Sequence, residues 1–186
     1  MATNDDKLPA AVMNAARREY EWSRWRGALA VAWFAVPMAL VAVRGGAPVL
    51  WAGLNAIALM GLSAALLWRG QAYGAAVLPG IVSGAVPYLA PMVLRQGTHL
   101  CALGSCMLVG STLYFAAGLV AGGVVSGFTM RRHAGKREFL LAGCAIAALT
   151  GLFGCVSGGV LGALGMVGGF AAFTVPALLR VQLQRD

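Results

Sequence analysis

The chain has 186 residues, 60% of them hydrophobic and 11% charged, with a mean hydropathy of +0.78. A soluble domain carries roughly 25% charged residues, and here no acid occurs between Trp22 and Arg137, so the chain cannot clothe a water-facing surface. Its formal charge of +8 falls in short clusters between apolar runs, the pattern of a chain oriented against anionic lipid rather than one that grips nucleic acid.

The first 26 residues are polar and mix acids with bases, which does not fit a cleavable signal peptide. Pro9 suits a first helical position. Leu8, Val12, Ala15, Ala16, Glu19 and Trp22 fall on one side at helical spacing, with Arg17, Arg18, Glu21 and Arg24 mainly elsewhere. Two readings stand for this arm. It is a juxtamembrane helix lying on an anionic leaflet, or it lays a mildly apolar stripe in a groove of a protein partner. Four of the six acids (Asp5, Asp6, Glu19 and Glu21) lie here, and a purely lipid-binding segment gains nothing from them.

Six apolar runs follow, near Gly27–Val43, Pro48–Trp68, Tyr73–Leu94, Ala102–Phe128, Phe139–Val156 and Gly158–Leu179. Each approaches the ~20 residues that cross a hydrocarbon core of ~30 Å. The last two are separated only by Val156-Ser157-Gly158-Gly159. Joined, they are about twice as long as the core at ~1.5 Å per residue, which reads as a tight helical hairpin. Read instead as one bent span, the count falls to five and the C-terminus changes sides. The expected fold is an all-α integral membrane protein, a six-helix transmembrane bundle over residues 27–179. A short cytoplasmic N-terminal helix precedes it within residues 1–26, and a cytoplasmic tail, 180–186, follows.

Orientation comes from the cations. With the N-terminus inside, Lys7, Arg17, Arg18, Arg24, Arg26, Arg69, Arg131, Arg132, Lys136, Arg137, Arg180 and Arg185 all fall on the cytoplasmic side, and Arg44 and Arg95 outside. That is the positive-inside arrangement. Trp22, Trp25, Trp51 and Trp68 sit near span ends, where amphipathic rings favour the interface.

Glycines recur at four-residue spacing in Gly80/Gly84, Gly118/Gly122, Gly123/Gly127, Gly158/Gly162 and Gly165/Gly169. Each pair offers a flat strip to a neighbouring backbone, and close packing within one bundle is the expectation, with a dimerisation or gating face as the alternative. Pro37, Pro79, Pro87, Pro91 and Pro176 lie in or near spans and should kink them. The third span, with three prolines, is expected to be irregular or partly unwound, a feature found in transport sites and in ordinary bundles alike.

No Asp, Glu, Lys or Arg lies near the middle of any span, and Asn55 is the one amide well inside. Ion-coupled carriers and proton relays usually need an intramembrane ionisable group. No Ser/His/Asp set, HExxH, phosphate loop or paired carboxylate appears, so neither an enzyme nor a resident cofactor is expected.

The cysteines are unevenly placed. Cys101 and Cys106 fall on the outer side where the fourth span begins, and Cys155 at the outer end of the fifth. Cys144 lies deeper, and in a helix its eleven-residue separation from Cys155 is ~16 Å, too far for a bond. Three of the four cysteines therefore face the side where disulfides persist. His99 gives His-x-Cys-x₄-Cys with Cys101 and Cys106, which is not a zinc-finger spacing. Cys101, Cys106 and Cys155 form either a redox or ligation sensor or a set of small apolar residues tolerated in helices.

Together, the arm from Leu8-Pro9 to Arg26, Cys101 or Cys106, the loop Arg131-Arg132-His133-Ala134-Gly135-Lys136-Arg137 and Cys155 resemble the NrsF/CarR-type six-span bacterial membrane anti-sigma factors. The resemblance covers the whole chain in layout. The loop lacks the proline that the family pattern carries, and two cysteines compete for one position. The resemblance implies a regulator at the inner membrane whose arm holds an ECF-type sigma factor and frees it on an envelope or redox signal. The alternatives are a small transporter or permease for a metal ion or apolar solute, and a structural subunit of a membrane complex.

Overall fold

The computed structural model describes residues 10–96, 106–155 and 159–183, and every regular element among them is an α-helix. Six of these helices are long and apolar enough to cross a membrane. An all-helical answer is the one open to so apolar a chain, because a helix satisfies its backbone polar groups internally.

The first helix, α1, runs without a break from Ala10 to Arg44. At 1.5 Å per residue it is about 52 Å long, far longer than a hydrocarbon core. The composition changes at Gly27 but the backbone does not, so the expected separate N-terminal helix is instead the first turns of α1. Helix α2 (Val49–Arg69) stops at Gly70, whose φ of +68° favours glycine and whose N–H reaches the Leu66 and Leu67 carbonyls at 3.2 and 3.1 Å.

The third span is built from α3 (Gln71–Ala75) and α4 (Val77–Gln96), with the break at Ala76. Pro79 explains the position, since it has no N–H to give the Ala75 carbonyl and its ring crowds that group. Pro87 and Pro91 lie inside α4 without ending it. The expected irregularity is therefore confined to the entry of the span. Helix α5 (Cys106–Met130) follows, then a turn, then α6 (Lys136–Cys155) and α7 (Gly159–Leu183).

Helix α6 is the hub and packs against every other helix. The closest pairs are not chain neighbours. A Cβ placed on Gly80 would meet Ile146 and the Gly143 carbonyl, and one on Gly84 would meet Thr150 and Ala147; further along, Gly154 abuts Pro87 and Tyr88. Contacts advance in the same direction on both chains, so α4 and α6 run parallel. Helices α5 and α7 do the same, with Gly165 against Ser111, Gly118 against Met166 and Gly122 against Phe170. Three of the expected glycine pairs thus contribute close contacts between helices of one bundle, as does Gly162 against Tyr114, while its partner Gly158 lies outside the described residues. Gly123 and Gly127 do not, for nothing lies within 4 Å of a Cβ built on either.

Helices α6 and α7 run antiparallel, and Val156, Ser157 and Gly158 of the turn expected between them lie outside the described residues. Gly151, near the end of α6, faces Met166 near the start of α7, and Leu140, near the start of α6, shares a cluster with Ala177. One bent span would not fold back in this way. Helix α1 likewise runs antiparallel to α2, with Gly27 against Leu67. The starts of α1, α3 and α6 therefore gather at the same end of the bundle as the ends of α2, α5 and α7.

Most polar side chains in the interior turn to backbone carbonyls, the buried Ser63 hydroxyl being an exception. Asn55 Nδ2 donates to the Leu149 carbonyl at 3.0 Å, Tyr114 Oη to Gly154 at 3.0 Å, and Thr129, Thr150 and Thr174 to the residue four back. The outside of the bundle is apolar, with Trp33, Leu50, Ile57 and Leu164 all exposed. That surface suits lipid and not water.

Candidate functional site

Every described side chain from Val12 to Trp22 is exposed. Val12, Ala15, Ala16, Glu19 and Trp22 share a helical face as expected, and no other helix covers it: Val12 is 49% and Trp22 57% exposed. Leu8 lies outside the described residues. The opposite face carries Arg17, whose Nε donates to Glu21 Oε1 at 3.1 Å. This i,i+4 pair is exposed and contributes little to stability, but it neutralises one acid and one base on the same turn.

The structure adds residues that the spacing argument passed over. Where the arm meets the bundle, a cleft of about 550 Å³ is lined by Arg17, Tyr20, Glu21, Trp25 and Trp68. A second, of about 530 Å³, is lined by Arg18, Glu19, Glu21, Trp22 and Trp25. Glu21 and Trp25 border both. The cleft owes its floor to Trp25 and Trp68, whose rings meet edge to face with centroids 6.2 Å apart. Such a pair is worth about 0.5–1.5 kcal/mol beyond its buried area, and it joins α1 to the end of α2. Both tryptophans are visible in the sequence as interfacial rings. What the sequence could not show is that residues 43 apart (68 − 25) meet.

At the same end, arginines lie over aromatic rings. The Arg26 guanidinium is 6.0 Å from the Trp22 centroid, Arg69 is 5.8 Å from Tyr73, and Arg132 is 4.5 Å from Phe139. The turn before α6 is closed by Gly135, whose φ of +66° a side chain rarely adopts and whose Cα faces Ala72 of α3. A carbonyl from Gly135 accepts the Phe139 N–H at 3.0 Å and starts α6.

Of the sensor candidates, Cys101 lies outside the described residues. Cys106 is the first residue of α5 and Cys155 the last of α6; their side chains lie outside the described part. The two helix ends occur at the same end of the bundle, opposite the arm, because Tyr114 near the start of α5 bonds Gly154 near the end of α6. Cys144 is a free, half-buried thiol packed beside Leu140 and Ala147. Among the described residues no three His, Cys, Asp or Glu side chains come together in a way that could hold a metal ion.

The arrangement is an exposed helix rooted in an aromatic cleft. No protein-family model, curated protein or solved structure matches the chain, so the likeness to NrsF/CarR-type anti-sigma factors rests on the layout of its own residues.

Proposed function

We propose that this protein is a membrane-bound negative regulator of transcription, an anti-sigma factor that holds an ECF-type sigma factor through its N-terminal arm. The observation that carries the reading is the continuity of α1. One unbroken helix leads from the exposed face of Val12, Ala15, Ala16, Glu19 and Trp22 into the bundle. An arm made this way moves with the first span. A change in how that span packs would therefore change how the arm is presented to a partner.

In this reading the arm and both termini are cytoplasmic, since the basic residues cluster at the arm's end of the bundle. The inducing signal acts at the opposite end, where Cys106 and Cys155 begin and end their helices. Release is a population shift: the signal must favour a bundle state in which the arm binds its partner less well.

The test is a pull-down with full-length protein in nanodiscs, using cytoplasm of the source cell as prey. The expected result is retention of a small sigma factor, lost when residues 1–22 are removed or when Val12→Asp and Trp22→Ala are combined. Retention of no sigma factor by the full-length protein, under reducing and oxidising conditions alike, would overturn the proposal. A gene for a small sigma factor directly beside this one would add independent support.

A further inference from the structure

The aromatic-backed arginines form a connected strip. Trp25 touches Trp68; the next residue, Arg69, stands over Tyr73 of α3; Ala72, beside it, abuts Gly135; and Arg132, in the same turn, stands over Phe139 of α6. The strip thus runs from α1 across α2 and α3 to α6, at one end of the bundle. Arg69 closes the second candidate span and Lys136 opens the fifth, which puts the strip at the depth of lipid headgroups.

Its charge is one-sided. Arg26, Arg69, Arg131, Arg132, Lys136 and Arg137 stand against a single acid, Glu138, whose Oε2 is shielded from solvent. The other described acids, Glu19 and Glu21, are on the arm, and Glu21 is paired with Arg17. A guanidinium lying over a ring keeps its in-plane N–H groups free for an anion while its orientation is restricted. Planar forks held this way match phosphate oxygens.

We propose that this strip seats an anionic phospholipid, one whose headgroup carries two phosphates, with Arg69 and Arg132 as its principal contacts. Cations spread over three helices and the turn before α6 suit two linked phosphates better than one. The lipid joins the α1–α2 hairpin to α6 from the headgroup side. The proposal is independent of the anti-sigma reading.

Native mass spectrometry of the full-length protein, released from nanodiscs of mixed lipid, tests it. The competing lipids share acyl chains: diphosphatidylglycerol, phosphatidylglycerol and zwitterionic phosphatidylethanolamine. A parallel arm adds inorganic phosphate at millimolar concentration. The expected result is preferential retention of the two-phosphate lipid. Combining Arg69→Gln with Arg132→Gln should weaken retention about thirtyfold, the loss expected for two interfacial cations, whereas Arg44→Gln at the opposite end should leave it unchanged. Equal retention of phosphatidylethanolamine or of the one-phosphate lipid overturns the proposal. So does displacement by inorganic phosphate, which would make the strip a free-anion site. Should the double variant fail to fold, the lipid ranking on the unmodified protein decides the matter alone.

Discussion

Tyr88 of α4 donates its hydroxyl to the Met38 carbonyl of α1 at 3.2 Å. The backbone of Tyr88 is in turn pressed against Gly154 of α6, whose carbonyl accepts from Tyr114 of α5. Four helices meet here, in the half of the bundle away from the arm. Tyr88→Phe removes only the hydroxyl. The expected cost is about 0.6 kcal/mol and at most about 1.7, the range for hydrogen bonds between membrane helices. The more specific outcome is faster amide exchange across residues 34–44 of α1, read by hydrogen–deuterium exchange in nanodiscs. Unchanged exchange there would show that α2 alone holds α1.

The glycines divide into two groups that respond oppositely. A Cβ on Gly122 would come within 2.7 Å of the Phe170 carbonyl, and one on Gly118 would meet the Met166 carbonyl. Both obstacles are backbone, so the helices must separate. Gly118→Ala and Gly122→Ala should each destabilise by about 1–3 kcal/mol, the usual cost of overpacking. Gly123→Ala and Gly127→Ala meet nothing and should be neutral or stabilising by up to about 1 kcal/mol, because alanine orders more readily in a helix. Thermal unfolding of the four variants in one detergent checks the contrast.

This contrast also shows where sequence reading ends. The spacing of Gly123 and Gly127 equals that of Gly118 and Gly122, yet only one pair faces a neighbour, and which pair does depends on how α5 is rotated against α7. Hydropathy located the spans because the bilayer fixes their length. It could not place the start of the arm's helix, since the solvent changes near Gly27 while the hydrogen-bonding pattern of α1 does not. Pro79 was legible as a breaker, and because it cannot donate to the Ala75 carbonyl the break falls one residue on, at Ala76. Pro87, of the same type, is absorbed within α4. Contacts such as Tyr88 with Met38, or Trp25 with Trp68, join distant segments and follow from no local pattern.

Asn55 offers a second measure of the core. Its amide reaches from α2 to the Leu149 carbonyl of α6, almost wholly shielded from solvent. Asn55→Leu keeps the volume roughly and loses the hydrogen bond. A fall in unfolding midpoint matching about 0.6–1.7 kcal/mol is expected, with no change in helical content by circular dichroism. A rise in stability would mean that the amide serves function at the expense of packing.

The antiparallel packing of α6 and α7 makes a topological prediction. In a background with all four cysteines replaced by serine, single cysteines are introduced by Pro48→Cys and Ala134→Cys. A membrane-impermeant maleimide applied to cells with an opened outer envelope should label the first and not the second. A reporter fused after Asp186 should behave as cytoplasmic. A reporter active only outside would reinstate five spans, in conflict with the pairing of Leu140 with Ala177.

The arm should separate binding from stability. Trp22 and Val12 are exposed, so Trp22→Ala and Val12→Asp should move the unfolding free energy by no more than about 0.5 kcal/mol, as for ordinary surface changes. Trp68→Ala differs, because it removes a ring that packs on Trp25 and should loosen the angle of the arm while leaving its outer face intact. If a partner docks on the stripe alone, Trp22→Ala weakens capture by tenfold or more, about 1.4 kcal/mol, and Trp68→Ala has little effect. If the partner also fills the cleft between arm and bundle, both substitutions weaken it. Capture that survives the loss of Val12 and Trp22 together would place the partner elsewhere and leave the arm without the role proposed for it.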